Sequence, residues 1–271
     1  MFRLAFPLIF WSLFLSALVR AEEQVDVELV LAVDVSWSMN EREREIQRRG
    51  YAEALRSPQV VKAITGGIHG RIAVAYVEWA GWNSQSIVMD WTIIASEADA
   101  VAASQRLLNL PSSAMRRTSI SGAIVTAQRM IETNDIVSLR RVIDISGDGP
   151  NNAGERVLVA RQRAVSSGIV INGLPLMPRE GRGSTFSIPD LDRYYANCVI
   201  GGPASFVIPV LRWEEFGEAV RRKLVLELAN GPDAVVQPVN FHKAVPDTDA
   251  PYDCLIGERI WERLRQQWMD E

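Results

Sequence analysis

The sequence predicts a doubly wound α/β domain, with a mostly parallel sheet, one antiparallel edge strand and helices on both faces. Three observations carry this. Val25 to Asp34 (VDVELVLAVD) alternates at first and then becomes nearly continuously apolar, as strands buried on both faces do. Short apolar segments of strand length then alternate with stretches of helical periodicity, the pattern of successive βαβ units. Finally, RIAVAYVEW from Arg71 and SIVMDWTII from Ser86 are separated by a Gly-Trp-Asn-Ser stretch, which predicts a hairpin and hence one antiparallel edge.

Taken in order after the first strand, a charged helix is expected from about Asn40 to Ser57, with Val60 to Thr65 adding a turn or two. The hairpin follows. Helical periodicity returns over Glu97 to Leu110, ended by Pro111, and over Ser119 to Glu132. Arg141 to Ser146 (RVIDIS) reads as a short buried strand running into Gly147-Asp148-Gly149-Pro150. Glu155 to Ser167 is helical, with Gly168 just past its end, and Ile169 to Leu174 is a strand. Asp190 to Cys198 is helical, Phe206 to Leu211 is a strand, and Trp213 to Ala229 is a long amphipathic helix. Beyond Asn230 the composition turns to Pro, Asp and Val, an extended strap before a last helix from Leu255 to Met269. The expected parts are thus a leader at 1–21, an α/β domain at 25–230, and an extension at 231–271 packed on that domain.

The leader rests on a basic start at Arg3, an apolar run from Leu4 to Val19, and Val19-Arg20-Ala21 as a cleavage site. A retained membrane anchor is the alternative, because the run is only slightly shorter than the roughly 20 residues that span a bilayer. No later segment approaches that length, so the mature chain is not expected to insert into a membrane and is read as exported, to a periplasm or beyond if bacterial. The formal charge of −4 becomes two units more negative once Arg3 and Arg20 leave, which makes nucleic acid a poor partner. Cys198 and Cys254 are the two cysteines, and in an oxidising compartment they are expected to form one disulfide. Two buried thiols are the alternative; a zinc site is disfavoured because no histidine lies near them.

Three polar groups fall where strands end or helices begin. Asp34-Val35-Ser36-Trp37-Ser38 follows the first strand, Thr118 precedes the helix from Ser119, and Asp148 follows Arg141 to Ser146. Each has an ordinary structural explanation. Ser38 with Glu41 matches a capping box, Thr118 an N-cap, and Asp148-Gly149 a turn. Such explanations do not account for the coincidence of two carboxylates, two serines and a threonine at the carboxyl edge of one sheet, where ligands of these sheets bind. Hard oxygen donors without sulfur or imidazole suit Mg²⁺, with Mn²⁺ and Ca²⁺ less closely matched. With only two anionic donors, such an ion keeps exchangeable positions that a partner's carboxylate could fill.

The pattern Asp34-x-Ser36-x-Ser38, then Thr118, then Asp148 resembles the metal-ion-dependent adhesion site of von Willebrand factor type A domains. All five positions match, and the resemblance covers about Val27 to Asn230. It implies that Ser36, Ser38 and Thr118 ligate the metal, that Asp34 and Asp148 act directly or through water, and that the partner is a protein presenting Asp or Glu. The chain looks most like an uncharacterised exported bacterial branch of that family. It departs from the usual pattern at Trp37, where a small residue is common, and at Ser146-Gly147, where a leucine-threonine pair is more usual. Trp37 would sit beside the metal, either meeting a partner or packing on the following helix.

Asp144, inside a buried strand pattern, reads as a hydrogen-bonded structural residue, with a role behind the metal as the alternative. Trp79, Trp82 and Trp91 read as packing on an edge strand. An enzyme is disfavoured: there is no G-x-S-x-G elbow, P-loop or dinucleotide fingerprint, and His69 and His242 lie far in sequence from Ser36 and Ser38. A metal-dependent hydrolase and a metal-independent scaffold are the rival functions.

Overall fold

Strand β1 (Glu23–Asp34) is buried from Val25 to its end, as its apolar run requires. Its alternate residues feed two cores: Val27, Leu29, Leu31 and Val33 enter one, Val30 and Ala32 the other. Only the centre of a sheet covered on both faces offers such a position. The computed structural model describes residues 23–109, 114–177, 187–229 and 251–269. The expected leader, the strap, Pro111 and His242 lie outside these residues.

Around β1 the sheet has five strands in the order β3-β2-β1-β4-β5. Strand β2 (Ile72–Trp79) runs parallel to β1, from Val27 opposite Ile72 to Asp34 opposite Trp79. It turns back into the antiparallel edge strand β3 (Gln85–Ile94). Strand β4 (Ile136–Gly147) lies on the other side of β1, parallel, with Val33 opposite Ser146, and β5 (Ile169–Pro175) follows beside β4. The chain therefore builds outward from β1 in one direction and then restarts on its other side. The carboxyl ends of β1 and β4 flank this switch point, which in open α/β sheets is the place for a ligand.

Helices α1 (Glu41–Leu55), α2 (Pro58–Thr65), α3 (Glu97–Leu108) and α7 (Phe216–Leu228) cover the face that buries Leu29 and Leu31. The opposite face is covered by α4 (Ile120–Glu132), α5 (Val157–Ser166), and α6 (Leu191–Tyr194) with the π-helical turn Tyr195–Val199 that continues it. A last helix, α8 (Ile256–Met269), joins that face through Ile256 and Ile260, with Cys254 just before it bonded to Cys198. No helix among the described residues is long and apolar enough to cross a membrane.

The expected fold class holds, with two corrections to its elements. Strand β4 starts five residues before Arg141, because Ile136 to Arg140 alternate between half-buried and exposed and so escape an apolar-run criterion. Phe206 to Leu211 is not a strand of the sheet: Val207 and Val210 make isolated bridges to Gly173 and Leu176, while Pro209 between them has no N–H for a ladder. Trp79 is fully buried, and Trp91 packs beside α4 and donates its indole N–H to Met130 O at 3.3 Å.

Candidate metal centre

Strand β1 ends because Asp34 folds its own carboxylate over the next turn: Ser36 N–H donates to Asp34 Oδ1 at 2.7 Å. The turn is held from both sides. Val35 N–H donates to Trp79 O at 2.9 Å, and Gln47 of α1 donates its amide N–H to Asp34 O at 3.0 Å. The start of α1 does not use Ser38. Its cap is Asn40, whose Oδ1 accepts from Glu43 N–H at 3.0 Å while Asn40 N–H donates to the Glu43 carboxylate at 2.8 Å. This reciprocal box satisfies the helix end two residues past Ser38 and leaves the serine hydroxyl free for other work.

That hydroxyl turns inward. Ser38 Oγ donates to Asp148 Oδ1 at 2.8 Å and lies 2.9 Å from Ser36 Oγ. Asp34, Ser36, Ser38 and Asp148 thus form one hydrogen-bonded chain, although Ser38 and Asp148 are 110 residues apart in sequence. Thr118 is held through its backbone by a residue outside that chain. Its N–H donates to Asn152 Oδ1 at 3.0 Å, and Asn152 N–H returns to Thr118 O at 2.9 Å. Just before it, Met115 N–H donates to Val35 O at 3.1 Å, laying this segment along the Ser36 turn. Helix α4 is capped by Ser119, whose Oγ accepts from Gly122 N–H at 3.1 Å, so Thr118 is not the cap either. The ordinary explanations for Ser38 and Thr118 therefore both give way to a neighbouring residue.

The electrostatics favour a positive charge at this point. Asp34 is fully buried, and its Oδ2 has no hydrogen-bond partner among the described residues. Burial pushes the Asp34 carboxyl well above its ordinary range, and the charge of Asp148 pushes it further. Burial also lifts Asp148, to about 6, against the hydrogen bond from Ser38 and with help from Glu43. Two carboxylates that resist ionising together, one with an orphan oxygen, fit a divalent cation as the missing partner. Among the described residues no group of three or more His, Cys, Asp or Glu side chains is placed to hold a metal. The donor set is instead two carboxylates with hydroxyls. Gly147 keeps the space open: a Cβ there would lie 2.9 Å from Asp34 Oδ2 and 2.9 Å from Tyr195 Oη.

Trp37 is 63% exposed, and the Arg116 guanidinium lies 4.1 Å from its ring centroid. It stands at the rim of the site and is not packed into α1. Asp144 belongs to another cluster. It points into the opposite core and meets Lys223 Nζ of α7 at 2.7 Å; Lys223 also contacts Glu227, and all three are fully buried or nearly so. Asn172 donates to Glu227 at 2.9 Å.

Sequence reasoning did not find Tyr195, whose buried hydroxyl near Asp34 lacks a partner among the described residues, nor Asn151 and Asn152, nor Lys223. Lys223 had a signal: it sits between Val220 and Leu224 on the apolar stripe of its helix, as Asp144 does in its strand. The asparagines act through long-range backbone contacts that carry no local pattern.

Residues 24–232 match the family described as protein of unknown function (DUF1194). A search of curated proteins gives no match. Among solved structures, proximal thread matrix protein 1 from the mussel byssus is similar at a TM-score of 0.52 and 13% identity, over 75% of this chain and 46% of that one. A second structure of the byssus protein has a zinc-occupied MIDAS motif. A von Willebrand factor type A protein from Catenulispora acidiphila matches at 0.52 and 15% identity, over 76% and 43%. The pilus adhesin SpaC from Lactobacillus rhamnosus GG matches at 0.52 and 13%, over 75% and 30%. The chain spans less than half the length of each of these structures. By its sequence match the chain belongs to the DUF1194 family, and by its fold that family member carries a von Willebrand factor type A-like domain.

Proposed function

We propose that this chain is an exported, divalent-metal-dependent protein-binding module that captures an Asp or Glu side chain of a partner protein. Asp34, Ser36, Ser38, Thr118 and Asp148 hold the ion, Mg²⁺ by preference, with Mn²⁺ or Ca²⁺ able to replace it. The observation that carries this reading is the buried Asp34 Oδ2, unpartnered among the described residues, at the end of the chain of contacts through Ser36 and Ser38 to Asp148. Bound there, a divalent ion would supply a Lewis-acidic position open to a partner's carboxylate. The protein supplies the rest. It fixes two strand ends side by side, keeps the serine hydroxyls free of capping duty, and exposes Trp37 at the rim for contact with the partner.

The reading is one of binding and not of turnover. Among the described residues around the site, no nucleophile is paired with a base, and the similar structures named above include a pilus adhesin and a byssus matrix protein. Export rests on the leader at 1–21 and agrees with the Cys198–Cys254 disulfide.

Calorimetric titration of the full chain with Mn²⁺ and Mg²⁺ tests the site. The unmodified protein is expected to bind one ion, and Asp34→Ala to lose more than the roughly 10–100-fold that outer partners of metal ligands are worth. Pull-down from an exported fraction, with Mg²⁺ and then with a chelator, tests the capture. Partners retained equally by Asp34→Ala and in chelator would refute the metal reading in favour of a metal-independent scaffold.

A further inference from the structure

The segment beyond the family match, which ends at residue 232, returns to the candidate metal centre. Cys254, the adjacent Gly257 and Glu258, and Trp261 recur at three- and four-residue intervals and so share one stripe of α8 and the turn before it. Each makes a contact toward the same place. Cys254 is bonded to Cys198 in the turn after α6. Gly257 presses backbone to backbone on the loop after Asp148: a Cβ there would overlap Asn151 O. Glu258 Oε1 accepts from Asn151 Nδ2 at 2.8 Å. The ring of Trp261 lies 4.3 Å from the guanidinium of Arg117.

Both outer contacts lead to Thr118. Arg117 is its immediate neighbour and holds a left-handed backbone, φ 70°, which is unfavourable for a residue with a side chain and persists only where its surroundings enforce it. Asn151 precedes Asn152, whose amide and side chain exchange two hydrogen bonds with the Thr118 backbone. Asn151 itself is tied to α4, accepting from Ser121 N–H at 3.0 Å, and its own N–H donates to Tyr194 Oη at 3.1 Å. Thr118 is held by the backbone connection to Asn152, and α8 grips the residues next to both ends of that connection, Arg117 and Asn151.

We propose that α8 is a working part of the site: Glu258 and Trp261 are positioning residues that set the placement of Thr118, with the disulfide anchoring the helix that carries them. The inference rests on Thr118 being a metal ligand, and on the contacts of α8 independently of that.

The test uses the full, oxidised chain and the variants Glu258→Ala, Glu258→Gln, Trp261→Ala and Trp261→Phe, with Mn²⁺ as the probe and amide hydrogen exchange at Thr118 and Asn152 in metal-free protein as a second readout. Glu258→Ala and Trp261→Ala are expected to weaken Mn²⁺ binding about ten-fold each, the scale of an outer partner. Both are also expected to speed exchange at the two amides. Glu258→Gln keeps an acceptor for Asn151 and Trp261→Phe keeps a ring for Arg117, so each restores both readouts toward the unmodified values, which general destabilisation would not do. Unchanged Mn²⁺ affinity and unchanged exchange in the alanine variants overturn the proposal while leaving the metal reading intact. Failure of the unmodified chain to bind Mn²⁺ overturns the metal reading instead; exchange at Thr118 and Asn152 then decides the role of α8, faster exchange upholding it and unchanged exchange ending it.

Discussion

Replacing Lys223 by Met probes the device that fixes α7 to strand β4, whose end carries Asp148. Lys223 Nζ stands 2.7 Å from Asp144 and also contacts Glu227, with Lys223 and Asp144 fully buried and Glu227 2% exposed. Removing the cation strands two carboxylates in the core, and breaking a buried pair in this way costs about 3–5 kcal/mol. That is a large part of the roughly 5–15 kcal/mol that holds a typical domain together. The cost depends on pH with a definite sign. Burial already raises both carboxyls, Glu227 to about 7, against the pull of Lys223, so losing the lysine raises them further. A carboxyl raised on folding binds more protons folded than unfolded. Its contribution is fully present below its unfolded pKa and is lost as pH rises through the folded value, above about 7 for Glu227 in the variant. Urea unfolding should therefore show Lys223→Met losing most at pH 8 and less at pH 5.5, and adding Asp144→Asn and Glu227→Gln should restore stability at pH 8. A loss that is the same at both pH values, or below about 1 kcal/mol at pH 8, would refute the assignment of this cluster as a buried charge pair.

Three further substitutions separate the site from the scaffold. Gly147→Ala places a methyl 2.9 Å from Asp34 Oδ2, so Mn²⁺ binding measured by calorimetry should fall and stability should drop by about 1–3 kcal/mol; unaltered affinity would show that the space beside Asp34 is not needed. Asn40→Ala removes the cap of α1 and should cost about 1 kcal/mol in thermal unfolding with little change in metal affinity, whereas Ser38→Ala should do the reverse. If the two swap effects, Ser38 is structural. Trp37→Ala should leave stability within about 0.5 kcal/mol, since the ring is exposed, but should weaken partner retention in the Mg²⁺ pull-down; retention equal to the unmodified chain would place the partner elsewhere.

The sheet was legible in the sequence wherever burial on both faces leaves an unbroken apolar run, as in Val27 to Val33, and dim where one face is wet. Ile136 to Arg140 is the clear instance: its half-buried and exposed residues alternate, and pairing with β1 brings it into the sheet. At the site the loops were legible but the division of labour within them was not. Ser38 with Glu41 and Asn40 with Glu43 are equally good capping boxes on paper. The choice between them is made by Asp148, which draws Ser38 away and stands 110 residues off. The same holds for Asp144, whose oddness in a buried strand was visible while the identity of its counter-ion, on a helix near the other end of the domain, was not. Local pattern shows that a group needs a partner; only the topology says which one it receives.

The stretch from Gly201 to Val210 has a consequence beyond its failure to become a sixth strand. It touches β5 at isolated points, Ile171 with Gly201, Gly173 with Val207 and Leu176 with Val210, and so occupies the outer rim of that strand. Pro203 and Pro209 deny their own backbone donors to any newcomer. A chain seeking to lengthen the sheet on this side meets a covered border and no fresh template, which is how natural folds guard against sideways stacking. On this side the sheet therefore ends at β5 and its covering stretch.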